Sequence, residues 1–283
     1  MTTLPGLRTS LARPALDLLT TRRLVVLTGA GVSTDSGIPD YRGPQAPARR
    51  PMTYTEFVSG PAAQQRYWAR SHIGWSRMKR AVPNEGHRAL ARVERAGPVR
   101  LLITQNVDGL HEAAGSRAIC ALHGRIADVV CLGCRHRTSR AALHGRLGEA
   151  NPGWGERHAA VEVRPDGDVA LEDTAGFQVP GCEHCGGVLK PDVVFFGENV
   201  PRARVERCYA AVEGLDPATG TLLVLGSSLT VMSGLRFVRR AVKLGVPVVI
   251  VNRGGTRADD LPVLKVEHGT SEFLLELAGA LGV

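Results

Sequence analysis

Leu24-Val25-Val26-Leu27-Thr28-Gly29-Ala30-Gly31-Val32-Ser33 is the stretch on which the fold of this 283-residue chain turns. Four apolar residues in an unbroken run read as a short strand buried on both faces, the habit of parallel sheets. Thr28-Gly29-Ala30-Gly31 then ends it in a tight turn of small residues. The pattern recurs three times. Residues 99–103 run into Thr104-Gln105-Asn106-Val107-Asp108-Gly109, residues 221–225 into Gly226-Ser227-Ser228, and residues 246–251 into Asn252-Arg253-Gly254. Helical stretches lie between these strands. The sequence therefore predicts βαβ units and an α/β fold, a Rossmann-like doubly wound parallel sheet. Val193-Val194-Phe195-Phe196-Gly197 and residues 263–266 are two further expected strands, with a closing helix over 271–281.

In a doubly wound sheet, ligands bind beyond the carboxyl ends of the strands. Small residues there let the backbone approach a pyrophosphate, and a helix start favours its charge. One such turn is ordinary loop chemistry. Four on successive strands point to one shared ligand. Gly29-x-Gly31 is an incomplete dinucleotide fingerprint, because Thr34 stands where a third glycine belongs. A clear acidic residue about 20 positions further on, the usual ribose ligand, is also missing. A dehydrogenase is thus the weaker reading, and an absorbance change of a nicotinamide ring would mark it.

Two Cys-x-x-Cys pairs, Cys131/Cys134 and Cys182/Cys185, carry the second signal. Each pair sets two thiolates on one knuckle, and two knuckles complete a tetrahedron. Gly133 and Gly186-Gly187 supply the bends. A redox dithiol or a disulfide is the alternative, but two matched pairs favour Zn2+ in a reducing compartment. Four thiolates leave no open position, so the zinc is expected to be structural. The 47 residues between Cys134 and Cys182 exceed the ~15–20 of common zinc ribbons. Within them, residues 147–175 are rich in Gly, Pro and charge and are expected to form an exposed loop. His136, His144, His158 and His184 are spare ligands that four Cys make unnecessary. Cys120, beside apolar residues, reads as a small buried hydrophobe.

The rest of the chain fits around these parts. Residues 15–23 read as a first helix and 44–52 as a loop. Between 53 and 80, Tyr54, Phe57, Tyr67, Trp68, Ile73, Trp75 and Met78 recur at roughly helical spacing. Asn84 suits the cap of a helix running through Leu90. The expected division is a Rossmann-like domain over 1–45, 84–126 and 188–283, a helical module over 46–83, and a zinc-binding module over 127–187.

The formal net charge is +8, yet no block of five or six like charges appears, so no direct nucleic-acid partner is expected. No apolar run reaches the ~20 residues that span a bilayer. Residues 1–20 lack the apolar core of a secretory signal, and Asp17 argues against a transit peptide. The cytoplasm is the expected compartment, with no membrane partner. The oligomeric state is not legible.

His123 lies between apolar Leu122 and the first knuckle. Most histidines are satisfied core or surface residues. The position at the seam between sheet and zinc module makes this one the candidate general base, because a neutral imidazole near pH 7 can take a proton.

Together these segments resemble the sirtuins, NAD-dependent protein-lysine deacylases. The resemblance rests on Gly29-Ala30-Gly31-Val32-Ser33 continuing to Ser36-Gly37-Ile38-Pro39-Asp40-Tyr41-Arg42, on Thr104-Gln105-Asn106-Val107-Asp108-Gly109-Leu110-His111, and on His123-Gly124. It extends through both cysteine pairs, Lys190-Pro191-Asp192-Val193-Val194-Phe195-Phe196-Gly197-Glu198, Gly226-Ser227-Ser228 and Asn252-Arg253-Gly254. These span nearly the whole chain in order. Arg66-Tyr67-Trp68-Ala69-Arg70 and the long gap between knuckles look like class II, which includes a mitochondrial sirtuin of higher organisms. Composition and the short N-terminus suggest a bacterial-type relative.

The resemblance implies that NAD is a co-substrate and one Zn2+ is structural. The NAD pyrophosphate would lie on Gly29, Ala30, Gly31 and Ser33, with Asp40, Tyr41 and Arg42 nearby. The adenosine side would meet Gly226, Ser227, Ser228, Asn252, Arg253, Gly254 and Thr270. Gln105, Asn106 and Asp108 would surround the nicotinamide ribose and amide. The acyl-lysine oxygen attacks the ribose anomeric carbon as nicotinamide leaves. His123, with Asn106 the implied catalytic pair, then takes a proton from a ribose hydroxyl. Nicotinamide, O-acyl-ADP-ribose and free lysine are the implied products, and acylated-lysine proteins the implied partners. Residues 193–197 would pair with an extended substrate peptide. Tyr67 and Arg70, three apart on a helix, share a face. Either they read the carboxylate of a dicarboxylic acyl chain, or Tyr67 packs in the helical module and Arg70 is solvated. A protein mono-ADP-ribosyltransferase and a non-catalytic NAD-binding zinc module are the competing functions.

Overall fold

The computed structural model describes residues 12–40, 51–158, 171 and 173–283. Helix α1 (Ala12–Thr20) leads into strand β1 (Arg23–Thr28), followed after an interval by α2 (Tyr54–Phe57), α3 (Pro61–Met78) and α4 (Glu85–Arg95). Strand β2 (Val99–Thr104), α5 (Leu110–Ala113), β3 (Ile119–Ala121), β4 (Gly124–Cys131) and β5 (Arg137–Ser139) come next. Helices α6 (Arg140–Ala150) and α7 (Trp154–Arg157) precede β6 (Leu189–Val193). The chain closes with α8 (Arg202–Glu213), β7 (Gly220–Leu225), α9 (Met232–Lys243), β8 (Val248–Val251), β9 (Leu264–Val266) and α10 (Thr270–Ala280).

Six parallel strands form the main sheet in the order β3-β2-β1-β7-β8-β9. The chain runs outward from β1 in one direction, then returns to start the other half at β7. That reversal between β1 and β7 is the topological switch point, where a crevice opens. Both faces of β1 are covered. Leu24 and Val26 pack in a core with Leu90 of α4 and Phe273 of α10, while Val25 and Leu27 pack with Cys208 of α8 and Phe237 of α9. This explains why β1 reads as an unbroken apolar run.

Register brings the strand ends level. Thr28 lies beside Thr104 and Leu225, and Leu225 beside Val251. The four polar turns therefore begin on one line. Asn84 caps α4 as expected, its side chain accepting from the His87 N–H.

A second, antiparallel sheet, β5-β4-β6, carries the cysteine pairs. Phe57, Tyr67 and Trp68 from α2 and α3 share one core with Val129, Leu147, Trp154, Phe177, Leu189 and Phe195. The helical stretch and the cysteine segment thus stabilise each other.

Several expectations need correction. The strand expected at 193–197 lies earlier, at Leu189–Val193. Beyond it the Val194 N–H donates to the His123 carbonyl, the Phe195 N–H to Glu198, and Phe196 makes a single bridge to Thr53. Three different partners and the left-handed Gly197 (φ 79°) take this segment out of the sheet. Residues 147–158 are not an exposed loop. Helix α6 continues through Ala150, capped by Ser139, and α7 buries Trp154. Gly145 and Gly148 had broken the helical pattern. The first helix runs 12–20 rather than 15–23, because Arg23 is already in β1. Strand β8 starts at Val248, after Pro247, which has no N–H for a ladder. The short strands β3, β4 and β5 were not read from the sequence at all. Residues 41–50 and 159–170, with much of the two expected loops, lie outside the described residues.

Candidate active site

A cleft of about 1000 Å3 opens over the switch point. Glycine makes it possible. A Cβ on Gly29 would sit 2.7 Å from the Gly226 carbonyl oxygen, and one on Gly31 would sit 2.9 Å from the Gly226 Cα. Gly226 itself has φ 59°, in the left-handed region. Only three glycines let the β1 and β7 turns meet this closely. After Gly29 the chain makes two 3₁₀ turns, Ala30–Val32 and Thr34–Ser36, rather than entering a long helix.

From the β2 turn, polar side chains knit this floor together. Asn106 Nδ2 donates to the Gly29 carbonyl at 3.0 Å and to Ser33 Oγ at 3.1 Å. Ser33 Oγ donates to Asp108 Oδ2 at 2.7 Å, and the Leu110 N–H donates to Asp108 Oδ1 at 2.9 Å. Gln105 Nε2 donates to Ser227 Oγ at 2.9 Å. Burial raises the Asp108 carboxyl above its usual range, against these hydrogen bonds, which lower it. Such an acceptor next to small turns suits a ribose hydroxyl.

His123 stands two residues past the end of β3. Its Nδ1 lies 2.9 Å from the Gln105 carbonyl oxygen. A carbonyl only accepts, so Nδ1 carries the proton and Nε2 holds the lone pair. Nε2 is 2.8 Å from Ser233 Oγ, at the start of α9. Burial pushes the imidazole pKa down to about 4, the Arg204 charge pushes the same way, and the Gln105 bond works against both. At neutral pH this is an unprotonated base facing a cleft.

The lining includes Gly29, Ala30, Gly31, Ser33, Asp40, Gln105, Asn106, Asp108 and His123. It also includes Gly226, Ser227, Ser228, Asn252, Arg253 and Gly254 on the far side, and Val193 to Gly197 at the mouth. Thr270 is not part of the lining: it is buried, and its hydroxyl donates to the Gly31 carbonyl. Tyr41 and Arg42 lie outside the described residues. Tyr67 and Arg70 reach the cleft, although Tyr67 also packs edge-on against Phe57 and Arg70 Nε donates to the Leu171 carbonyl. Ser233 and Arg236 line it too, and no motif had pointed to them.

The segment 193–197 is held from below. Lys190 Nζ, almost fully buried, lies 2.9 Å from Glu198 Oε2 and donates to the Val193 carbonyl. Glu198 in turn accepts from the Phe195 N–H.

The cysteine pairs converge. All four Sγ atoms lie within 4.8 Å of one another, with Cys131–Cys185 at 3.5 Å and Cys134–Cys182 at 3.7 Å. A tetrahedron with Zn–S bonds of about 2.3 Å has edges of about 3.8 Å. The donor set and spacing fit zinc. His136 and His184 pack ring on ring beside each other, and neither belongs to the four-thiol cluster.

Comparison with known proteins agrees with this geometry. A model of the Sir2 family matches residues 29–233. NAD-dependent protein deacetylase 1 of Mycobacterium avium is 54% identical over 267 residues, covering 93% of either chain. NAD-dependent protein deacetylase 1 of Streptomyces coelicolor is 52% identical, over 99% of this chain and 93% of its own. Among solved structures, Sir2 with a p53 peptide and NAD+ superposes with a TM-score of 0.75 at 30% identity, over 95% of this chain and 98% of the other.

Proposed function

The chain belongs to the Sir2 family, and from that premise we propose that its cleft removes acyl groups from protein lysines at the expense of NAD. It is a bacterial-type sirtuin, an NAD-dependent protein deacetylase with NAD as co-substrate and a four-cysteine site that fits one zinc. The observation that carries the reading of the residues is His123. Its Nδ1–H is committed to the Gln105 carbonyl, so the base is Nε2, and it faces the same cleft as Asn106 and Asp108.

NAD supplies an anomeric carbon whose leaving group is nicotinamide. The chain's residues do the rest. Gly29, Gly31 and Gly226 leave backbone exposed for a pyrophosphate. Asp108, Ser33 and Asn106 form one hydrogen-bonded set that orients ribose hydroxyls, and Nε2 of His123 takes the proton from one of them. Asn252, Arg253 and Gly254 receive the adenosine side. Thr270 supports this wall through the Gly31 carbonyl rather than by facing the cleft. The segment Val193 to Gly197 receives the acyl-lysine peptide through main-chain bonds, which demands little of the peptide's sequence. Zinc, held by Cys131, Cys134, Cys182 and Cys185, would tie the knuckles together and leave no coordination site for substrate.

The division into a sheet domain, a helical module over 46–83 and a zinc module over 127–187 belongs to the same proposal, as does a cytoplasmic location. Among the described residues no helix is long and apolar enough to cross a membrane. Tyr67 and Arg70 favour a dicarboxylic acyl chain, because both reach the cleft and Arg forks onto carboxylates. A panel of acetyl-, succinyl- and glutaryl-lysine peptides with wild type and Arg70→Ala tests this. Selective loss of the dicarboxylic acyl groups is expected. Equal loss across the panel returns Tyr67 and Arg70 to a packing role, and labelling of protein by ADP-ribose without deacylation would move the function to ADP-ribosyl transfer.

A further inference from the structure

We propose that Ser233 carries the proton from the ribose hydroxyl to the base, a role that rests on the reading of His123 above. The two ring nitrogens of His123 are held from opposite sides, Nδ1 by the Gln105 carbonyl at 2.9 Å and Nε2 by Ser233 Oγ at 2.8 Å. Because the carbonyl fixes the proton on Nδ1, the Ser233 hydroxyl must donate to Nε2 in the resting enzyme. Nε2 has one lone pair, so the ribose proton reaches it through the serine: Ser233 Oγ takes the ribose proton as its own proton passes to Nε2, and the same oxygen then accepts from the new Nε2–H. A hydroxyl serves both protonation states without moving the ring; a methyl group serves neither.

The start of α9 is built for this contact. Ser233 is the second residue of the helix and is nearly buried. Its neighbour Gly234 allows the Gln105 side chain against the helix, since a Cβ there would lie 2.7 Å from Gln105 Oε1. Gln105 also bonds Ser227 Oγ on the β7 turn. Helix α9, the β7 turn and the β2 turn therefore fix one Gln105–His123–Ser233 chain. The Arg204 charge of α8 disfavours the imidazolium, and Asp108 and Arg236 line the same cleft.

The test uses the full chain as wild type, Ser233→Ala, Ser233→Thr and His123→Ala. The first readout is 15N NMR of the ligand-free protein. In Ser233→Ala the His123 Nε2 resonance should move to that of an unbonded imidazole nitrogen, with the Nδ1–H tautomer retained. The second is deacylation of an acetyl-lysine peptide. Ser233→Ala should lose about tenfold in kcat, or about 1.4 kcal/mol of barrier, with the KM for NAD unchanged. Ser233→Thr, which keeps a γ-hydroxyl, should recover most of the loss and restore the Nε2 resonance. An Ser233→Ala enzyme as fast as wild type, or faster, overturns the proposal: the serine then merely occupies the lone pair. Inactive wild type would instead overturn the reading of the cleft, so the two failures are distinct.

Discussion

Replacing Lys190 with Met tests how the segment Val193 to Gly197, proposed to receive the peptide, is held. The Lys190 side chain is 3% exposed and sits 2.9 Å from Glu198 Oε2, which is 25% exposed. Its ammonium also donates to the Val193 carbonyl and lies 4.6 Å from the centre of the Phe195 ring. Burial lowers the Lys190 pKa, and the Glu198 hydrogen bond and charge oppose that shift. Removing one partner of a buried pair costs ~3–5 kcal/mol, mostly because the other charge stays behind unpaired. Glu198 keeps some access to water, so about 3 kcal/mol is expected for Lys190→Met. For a chain of this size that lowers Tm by roughly 6–12 °C, at about 2–4 °C per kcal/mol. The double variant Lys190→Met/Glu198→Gln should recover at least about 1.5 kcal/mol of this, because no charge is then stranded. Because Glu198 accepts from the Phe195 N–H, both variants should raise the peptide KM more than the NAD KM. Urea unfolding of the four corners of the cycle, with steady-state kinetics on the variants that fold, gives both numbers. A Lys190→Met protein within about 0.5 kcal/mol of wild type, with an unchanged peptide KM, would refute the reasoning.

Three further outcomes follow from the same geometry. Gly29→Ala drives a methyl group to 2.7 Å from the Gly226 carbonyl, which should cost ~1–3 kcal/mol of strain and weaken NAD binding at least tenfold by calorimetry; unaltered affinity would show that the β1 and β7 turns do not form the nucleotide floor. Cys131→Ser should give protein that has lost its zinc and is insoluble or loosened, because metal-binding energy in such modules is folding energy; unchanged melting and metal content would contradict it. His87 and His111 are buried side by side with pKa values lowered to about 4 and about 3, chiefly by desolvation. Both are neutral in the native state and ionise more readily once unfolded. Their stabilisation is thus complete above pH ~6.5 and lost as pH falls toward 4, by about 2 kcal/mol for one such group at pH 5. Urea midpoints at pH 7, 6 and 5 should fall accordingly, less steeply in His87→Gln, and a flat profile would refute this.

The sheet was legible because strands buried on both faces must be apolar throughout, as Val25 to Leu27 and Leu222 to Leu225 are. Its ligand turns were legible because close approach of two backbones admits only glycine, as at Gly29 and Gly226. The zinc knuckles were legible from spacing alone. What escaped was decided by tertiary partners. Residues 193–197 have strand-like composition, but the His123 carbonyl, the Glu198 carboxylate and the Tyr54 N–H claim their backbone groups. Helix α6 was hidden by two glycines, and its burial comes from packing with the helical stretch before β2. Ser233 carries no pattern of its own. It matters only because α9 folds back onto the end of β3, 110 residues away in sequence. Thr270 shows the reverse: a residue assigned to the ligand bonds the Gly31 carbonyl instead.

The most direct test of the account is a mass balance on one reaction. Wild type and His123→Ala are incubated with NAD and an acetyl-lysine peptide, and nicotinamide, acyl-ADP-ribose and free lysine are quantified together. The account predicts one of each per turnover for wild type, and no deacylated peptide or acyl-ADP-ribose from the folded variant. Deacylation by His123→Ala at the wild-type rate, or lysine freed without an acyl-ADP-ribose, would contradict it.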